Sequence, residues 1–310
     1  MFVKKEDAYE YSYLWRWSTR AIFAHTLNKT DNNITLLARG ENYKHLNKRG
    51  VVLNHYLQNK RTTDHFNYIS HLGKNDNYDV IFVTMKYSDF YSVVPSIAQN
   101  ISTNIIFIGN NTNPHKLRQT VLRQSITHKN ISFGFLMTGG NRGDSATTVI
   151  RFNAGELKVS HLNGVIPFHH KLDTIFKNSS IKLTYETRFE DWLMSHAAMI
   201  MPLNTGISLK NKYKGNQKQL ISNIIKSYNE LHLLIEHSNY KIIPKLQSIL
   251  FKKFKYIAYP LLKLIINIKM INQIQGSNSE VNALYEDIKL LNKPTVLTTN
   301  HLDDLIRESI

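Results

Sequence analysis

The chain of 310 residues contains no cysteine. That excludes disulfides, thiolate metal sites and a cysteine nucleophile, and makes a cytoplasmic setting the simple expectation. Carboxylates are scarce: 23 Asp and Glu stand against 39 Lys and Arg, a formal net charge of +16. Such an excess attracts nucleic acid, anionic membranes or phosphorylated ligands. The lysines are spread along the whole chain without a long block. An AT-rich genome produces this scatter without a partner having selected it, so no nucleic-acid partner is expected. An apolar leader is missing as well, since Met1–Arg20 is polar and aromatic. The most apolar stretch, Tyr256–Ile271, is interrupted by Lys263 and Lys269 and is short for a bilayer span. It reads as a core helix with snorkelling lysines, and no membrane partner is expected.

What is present is a series of short apolar runs. Asn33–Gly40 (NITLLARG) ends in a basic tip, and Asp79–Met85 (DVIFVTM) and Asn104–Asn111 (NIIFIGNN) follow. Continuous apolar runs of this length predict strands buried on both faces, as in a parallel sheet. Further strands are expected at Ile131–Thr138, Thr147–Asn153, Glu156–Val159 and Lys182–Tyr185. From Arg188 onward the pattern is helical, near Phe189–Met201, Asn216–Ser238, Pro244–Asn267 and Glu280–Leu291. The fold class expected is α/β: a Rossmann-like parallel-sheet domain over residues 1–186, then an all-α domain over residues 187–310. Thr138–Asp144 (TGGNRGD) lacks the Lys-Ser/Thr ending of a phosphate loop and reads as a turn. His161, His169 and His170 have no carboxylate at a usual ligand spacing, so no metal site is expected.

A dinucleotide-binding sheet also needs a strand, a Gly-x-Gly-x-x-Gly turn and a helix before its second strand. A helix fits Ala21–Asn28, but the turn is absent: Tyr13–Arg20 reads YLWRWSTR. Ungapped alignment puts the glycine positions at Trp15, Trp17 and Arg20. The genetic code supplies an account. Tryptophan is TGG and arginine begins with C or A, so reading one base later turns Trp15 into glycine. Trp17 followed by Ser18 forces a second glycine. The same frame from Tyr9 allows Met-Asn-Ile-Leu-Ile-Tyr-Gly-Ala-Gly, a start codon, a strand and the missing turn. Codons allowed for Lys5-Glu6-Asp7 contain a purine-rich ribosome-binding site, which points to a bacterial gene. Residues 1–20 are therefore read as translated out of frame. The first strand is expected to be lost or poorly formed, and dinucleotide affinity to be very weak. Sequencing the gene decides this, and a Tyr9–Ser18 segment not near-cognate in the shifted frame ends the idea.

In their order and spacing, several segments resemble the ketopantoate reductase (2-dehydropantoate 2-reductase) family. They are ITLLARGENYKHL, YDVIFVTMKYSDF, IIFIGNN, FGFLMTGGNRGD, WLMSHAAMIMPL and SEVNALYEDI. The resemblance implies a Rossmann domain joined to a helical domain, with the active site in the cleft between them. It implies NADPH-dependent reduction of a 2-keto acid to the 2-hydroxy acid, as in pantothenate biosynthesis, with a homodimer as one possible assembly. Arg39 takes the position that faces the adenosine 2′-phosphate, which suits a planar, bidentate guanidinium; the bland reading is a surface arginine. Lys86 matches a lysine near the cofactor. Asn110 matches an asparagine beside nicotinamide and substrate. Either is equally read as a polar loop residue. Glu280 matches a substrate-binding glutamate, or is a surface helix residue.

The family's proton-donor lysine falls at Met194, and an asparagine one turn later falls at Ala198. A thioether and a methyl neither donate a proton nor orient a carboxylate. His196 lies on a different helix face and reads as a packed histidine rather than a replacement acid. The expectation is an oxidoreductase by descent whose activity is impaired. The alternatives are a non-catalytic binding protein or remnant of that family, and a basic nucleic-acid-binding protein.

Overall fold

The computed structural model describes residues 10–14, 17–143, 145–150, 155–162, 164–213, 215–268, 278–292 and 297–309. Within residues 10–20 only the backbone is described. The chain divides into two compact units, one of residues 1–109 and 114–187, the other of residues 110–113 and 188–310.

The first unit carries an eight-stranded sheet. Its strands are β1 (Glu10–Leu14), β2 (Asn33–Leu37), β5 (Asn67–Ile69), β6 (Val80–Thr84), β7 (Asn104–Ile108), β8 (Asn130–Leu136), β11 (Glu156–Ser160) and β12 (Lys182–Tyr185). The order is β12-β11-β8-β7-β6-β1-β2-β5. All neighbours are parallel except β8 and β11. The run β5-β2-β1-β6-β7-β8 is the doubly wound order of a dinucleotide-binding sheet, which reverses direction at β1. Every residue of β6 and β7 is buried, as continuous apolar runs in a covered parallel sheet require. Phe23 of α1 (Trp17–Leu27) packs with Phe82 and Phe176 at ring separations of 5.1 and 5.8 Å, joining that helix to the sheet.

Three features differ from the sequence reading. The first strand is formed: Glu10–Leu14 pairs with β2 on one side and β6 on the other. Backbone ladders on both flanks hold the segment extended whatever its side chains. Second, TGGNRGD is not a turn throughout. Gly139–Arg142 forms β9, antiparallel to β10 (Thr147–Ile150). Main-chain pairing asks nothing of the side chains, which is why a glycine-rich strand reads as a loop. With β3 (Val51–His55) and β4 (Lys60–Asp64) these strands make a second sheet, ordered β4-β3-β10-β9, which the sequence did not announce. Third, Pro244–Asn267 is two helices broken at Phe254, α8 (Lys245–Lys253) and α9 (Lys255–Asn267). The core-helix reading of Tyr256–Ile271 is half right: Ala258, Leu262 and Ile266 are buried, while Tyr256, Ile257, Leu261 and Leu264 are exposed. Residues 269–271 lie outside the described residues.

The second unit is helical. Its long helices are α6 (Phe189–Leu209) and α7 (Gln217–His237), followed by α8, α9, α10 (Asn278–Asn292) and α11 (Asn300–Ser309). Glu190 and Asp191 in the first turn of α6 complement the helix dipole. Asn216 and Gln219 form a reciprocal capping box at the start of α7. A Cβ on Gly206 would clash with Ile224 Cδ1, so a glycine lets α6 and α7 approach closely.

Candidate active site

The parallel register sets the carboxyl ends of β1, β2 and β6 at one edge of the first unit's sheet. Leu14 pairs with Leu37 on one side and with Val83 on the other. Ligands of open α/β sheets bind at this edge, beside the strand where the order reverses. Arg39 stands two residues beyond Leu37 and is exposed. Lys86 follows β6 and is half-buried. The Thr84 hydroxyl, at the last position of β6, is buried without a hydrogen-bond partner. α1 opens at Trp17, so the second glycine position heads the helix and Arg20 falls within its first turns. Trp15 lies outside the described residues.

A phosphate-binding turn needs backbone N–H groups open to the ligand at the start of this helix. Arg39, Lys86 and the orphaned Thr84 hydroxyl suit an anionic nucleotide. The residue types at positions 15 and 17 do not suit a close pyrophosphate. The edge thus fits the cofactor at its adenosine-phosphate end and misfits it at the helix start. A separate depression of 210 Å³ lies between α2 (Glu41–Arg49) and residues 143–147, and none of the singled-out residues lines it.

In the second unit the structure brings two of the expected residues together. Asn110 Nδ2 donates to Glu280 Oε1 at 2.9 Å. Because a carboxylate only accepts, this bond orients the amide and leaves Asn110 Oδ1, which is buried without a partner. Glu280 sits in the first turn of α10, where a negative charge is favoured. A second bond runs parallel to the first: Thr112 Oγ1 donates to Asp287 Oδ2 at 2.6 Å. Glu280 and Asp287 are two turns apart on α10, so residues 110–113 are held against one helix face at two points. Thr112 and Asp287 were not singled out from sequence. The spacing of seven from Glu280 to Asp287 was the available signal, and it carries no partner's address. On the sheet side, Gly109 allows a close approach, since a Cβ there would lie 2.8 Å from the Met85 carbonyl oxygen.

The α6 positions differ in character. Met194 and Ala198 are buried, at 3% and 0% exposure, and have no ionisable proton to donate. The His196 ring stacks on Trp192 with centroids 5.1 Å apart and planes 7° from parallel. Desolvation by burial pushes its pKa down to about 4, so the imidazole is neutral at ordinary pH. A neutral packed ring is a poor proton donor. Among the described residues, no group of three His, Asp or Glu stands close enough to hold a metal ion. His161 Nδ1 lies 3.0 Å from the Ser132 hydroxyl, and the His169 and His170 ring centroids are 3.8 Å apart with their planes tilted by 40°.

The doubly wound sheet order defines an α/β fold of the kind that dinucleotide-binding proteins use. More particularly, residues 21–164 match the model of the family described as ketopantoate reductase PanE/ApbA, and they carry a domain of that kind. Solved structures share the fold across nearly the whole chain. One is a PanE/ApbA family ketopantoate reductase from Ralstonia eutropha, 10% identical, covering 97% of each chain at a TM-score of 0.74. A second is D-mandelate dehydrogenase with NADH and anilino(oxo)acetate, 13% identical, covering 97% of this chain and 96% of that one at 0.74. A third is a dimeric ketopantoate reductase from Staphylococcus aureus, 10% identical, covering 97% of each chain at 0.65. No curated protein matches the sequence.

Proposed function

We propose that this chain is an oxidoreductase by descent that acts between a 2-keto acid and the 2-hydroxy acid, takes NADPH, and is impaired as written. The observation that carries the reading is the Asn110–Glu280 bond, which leaves a buried amide oxygen unpartnered. An orphaned carbonyl oxygen of this kind awaits a donor, such as a carboxamide or a hydroxyl. Arg39 would hold an adenosine 2′-phosphate, which favours NADPH over NADH. When bound, the nicotinamide supplies a hydride to the keto carbon.

The chain's own task is then to hold the substrate and to protonate the developing alkoxide. Asn110 and Glu280 are suited to holding a hydroxyl and an amide. Nothing at Met194 supplies the proton. Loss of a general acid typically costs about 10²–10⁴ in rate, so turnover falls to what water can deliver. The small 2-keto acid is the proposed partner, and a homodimer is the proposed assembly.

The buried methionine at the proton-donor position and alanine at the substrate-holding position favour a second reading, a non-catalytic binding protein derived from the same family. A fluorescence titration with NADPH, followed by turnover on ketopantoate and a panel of 2-keto acids, separates them. Weak binding with slow turnover fits an impaired reductase. Binding without turnover assigns the chain to the second reading. Micromolar NADPH affinity for the chain as written overturns the argument from Trp15 and Trp17.

A further inference from the structure

The second unit has an apolar surface that its core does not need. On α9, Ala258, Leu262 and Ile266 recur at helical spacing and are buried at 0%, 3% and 0% exposure. A second stripe beside them, Ile257, Leu261 and Leu264, is 47%, 39% and 61% exposed. Leu246 and Ile249 of α8 are 76% and 40% exposed, and Tyr256 is 71% exposed. A helix that serves one core needs one apolar stripe; α9 has two. Concentrated exposed apolar area of this kind marks an interaction surface.

The charge around it is one-sided. Between Glu236 and Glu280 the sequence has seven lysines and no carboxylate. Lys252 is paired with Glu236 at 2.9 Å, whereas Lys253, Lys255 and Lys263 are exposed. We propose that the α8–α9 face docks on the surface of a bilayer containing anionic lipid, its aliphatic and tyrosine side chains at the acyl boundary and its lysines among the headgroup phosphates. A second copy of the chain fits the charge less well. A two-fold contact would set the same lysine rows against each other, and Glu236 is already paired with Lys252. Docking is peripheral: among the described residues no helix is long and apolar enough to cross a membrane. The expectation of no membrane partner rested on the want of a spanning segment, and a surface contact needs none.

The test is co-sedimentation of the full chain with vesicles of phosphatidylglycerol and phosphatidylcholine, against phosphatidylcholine alone. Preferential binding to the anionic vesicles is expected, weakening in high salt. Leu246→Ser/Tyr256→Ser/Leu264→Ser leaves the net charge unchanged and replaces exposed side chains. It is expected to weaken binding at least about tenfold. Lys253→Glu/Lys255→Glu/Lys263→Glu is expected to do the same, and the same charge change at Lys29, Lys74 and Lys177 to do less. Tyr256→Trp gives an independent reading, a blue shift of emission on anionic vesicles. Wild-type binding by the serine variant reduces the effect to the chain's overall charge and overturns the proposal. Equal binding to both vesicle types overturns it too. So does a solution dimer, seen by sedimentation velocity, that the serine variant dissolves.

Discussion

A double-mutant cycle on Asn110 and Glu280 tests whether their contact is energetically real. The bond is 2.9 Å long and joins a neutral amide to a carboxylate in a half-buried setting. Hydrogen bonds to charged groups contribute about 1.5–3 kcal/mol, and partial exposure puts this one toward the lower figure. Asn110→Ala and Glu280→Ala are each expected to destabilise the chain. Glu280 makes further contacts, so its single substitution also removes energy unrelated to Asn110. The cycle cancels that part and should return a coupling of about 1–2 kcal/mol. Urea unfolding followed by far-UV circular dichroism and by tryptophan emission, to which Trp192 of α6 contributes, supplies the four free energies. Additivity within about 0.5 kcal/mol would mean that the pair is not coupled, and the argument that Glu280 orients the Asn110 amide would fail.

Three further outcomes are expected. Trp15→Gly/Trp17→Gly should raise NADPH affinity into a range that fluorescence titration can measure, because the start of α1 is then open to a pyrophosphate. Adding Met194→Lys to that variant should raise turnover by about 10²-fold or more, and unchanged turnover in a folded, NADPH-binding variant would remove position 194 from the chemistry. The third outcome concerns His232. It is fully buried, neither ring nitrogen has a partner, and burial pushes its pKa down to about 4. The unfolded chain therefore binds a proton between about pH 6.5 and 4 that the folded chain refuses, and stability falls through that window as pH drops. His232→Phe should flatten this part of the stability profile, by on the order of 3 kcal/mol at its acid end, and be neutral or stabilising at pH 8. An unchanged profile would show that His232 does not titrate there.

Much of the first unit's sheet was legible because its strands are apolar on both faces. Val80–Thr84 and Asn104–Ile108 have no exposed residue, so burial wrote itself into continuous runs. β4, by contrast, reads KRTTD and is mostly exposed. Its strand character comes from pairing with β3, a long-range event that leaves no local mark. The same holds for β9. α11, Asn300–Ser309, is not among the helices expected from the sequence, although Leu302, Leu305 and Ile306 are buried at helical spacing. At ten residues it is short enough for its pattern to be missed in a window fitted to longer helices.

For the candidate site, sequence alone decided chemistry and only tertiary structure decided company. That positions 15 and 17 hold tryptophan and position 194 methionine follows from the order of residues, and no folding changes what a thioether can donate. Which groups meet is another matter. Asn110 and Glu280 are 170 residues apart, and Thr112 and Asp287 are 175 apart. Their hydrogen bonds exist because the chain leaves the sheet after β7 for four residues that belong to the helical unit. The two stripes of α9 divide in the same way. Its periodic apolar residues are in the sequence, but only packing buried Ala258, Leu262 and Ile266 and left Ile257, Leu261 and Leu264 at the surface. Local order sets each side chain's chemistry and period; burial and partners are set by contacts between segments that are distant in the chain.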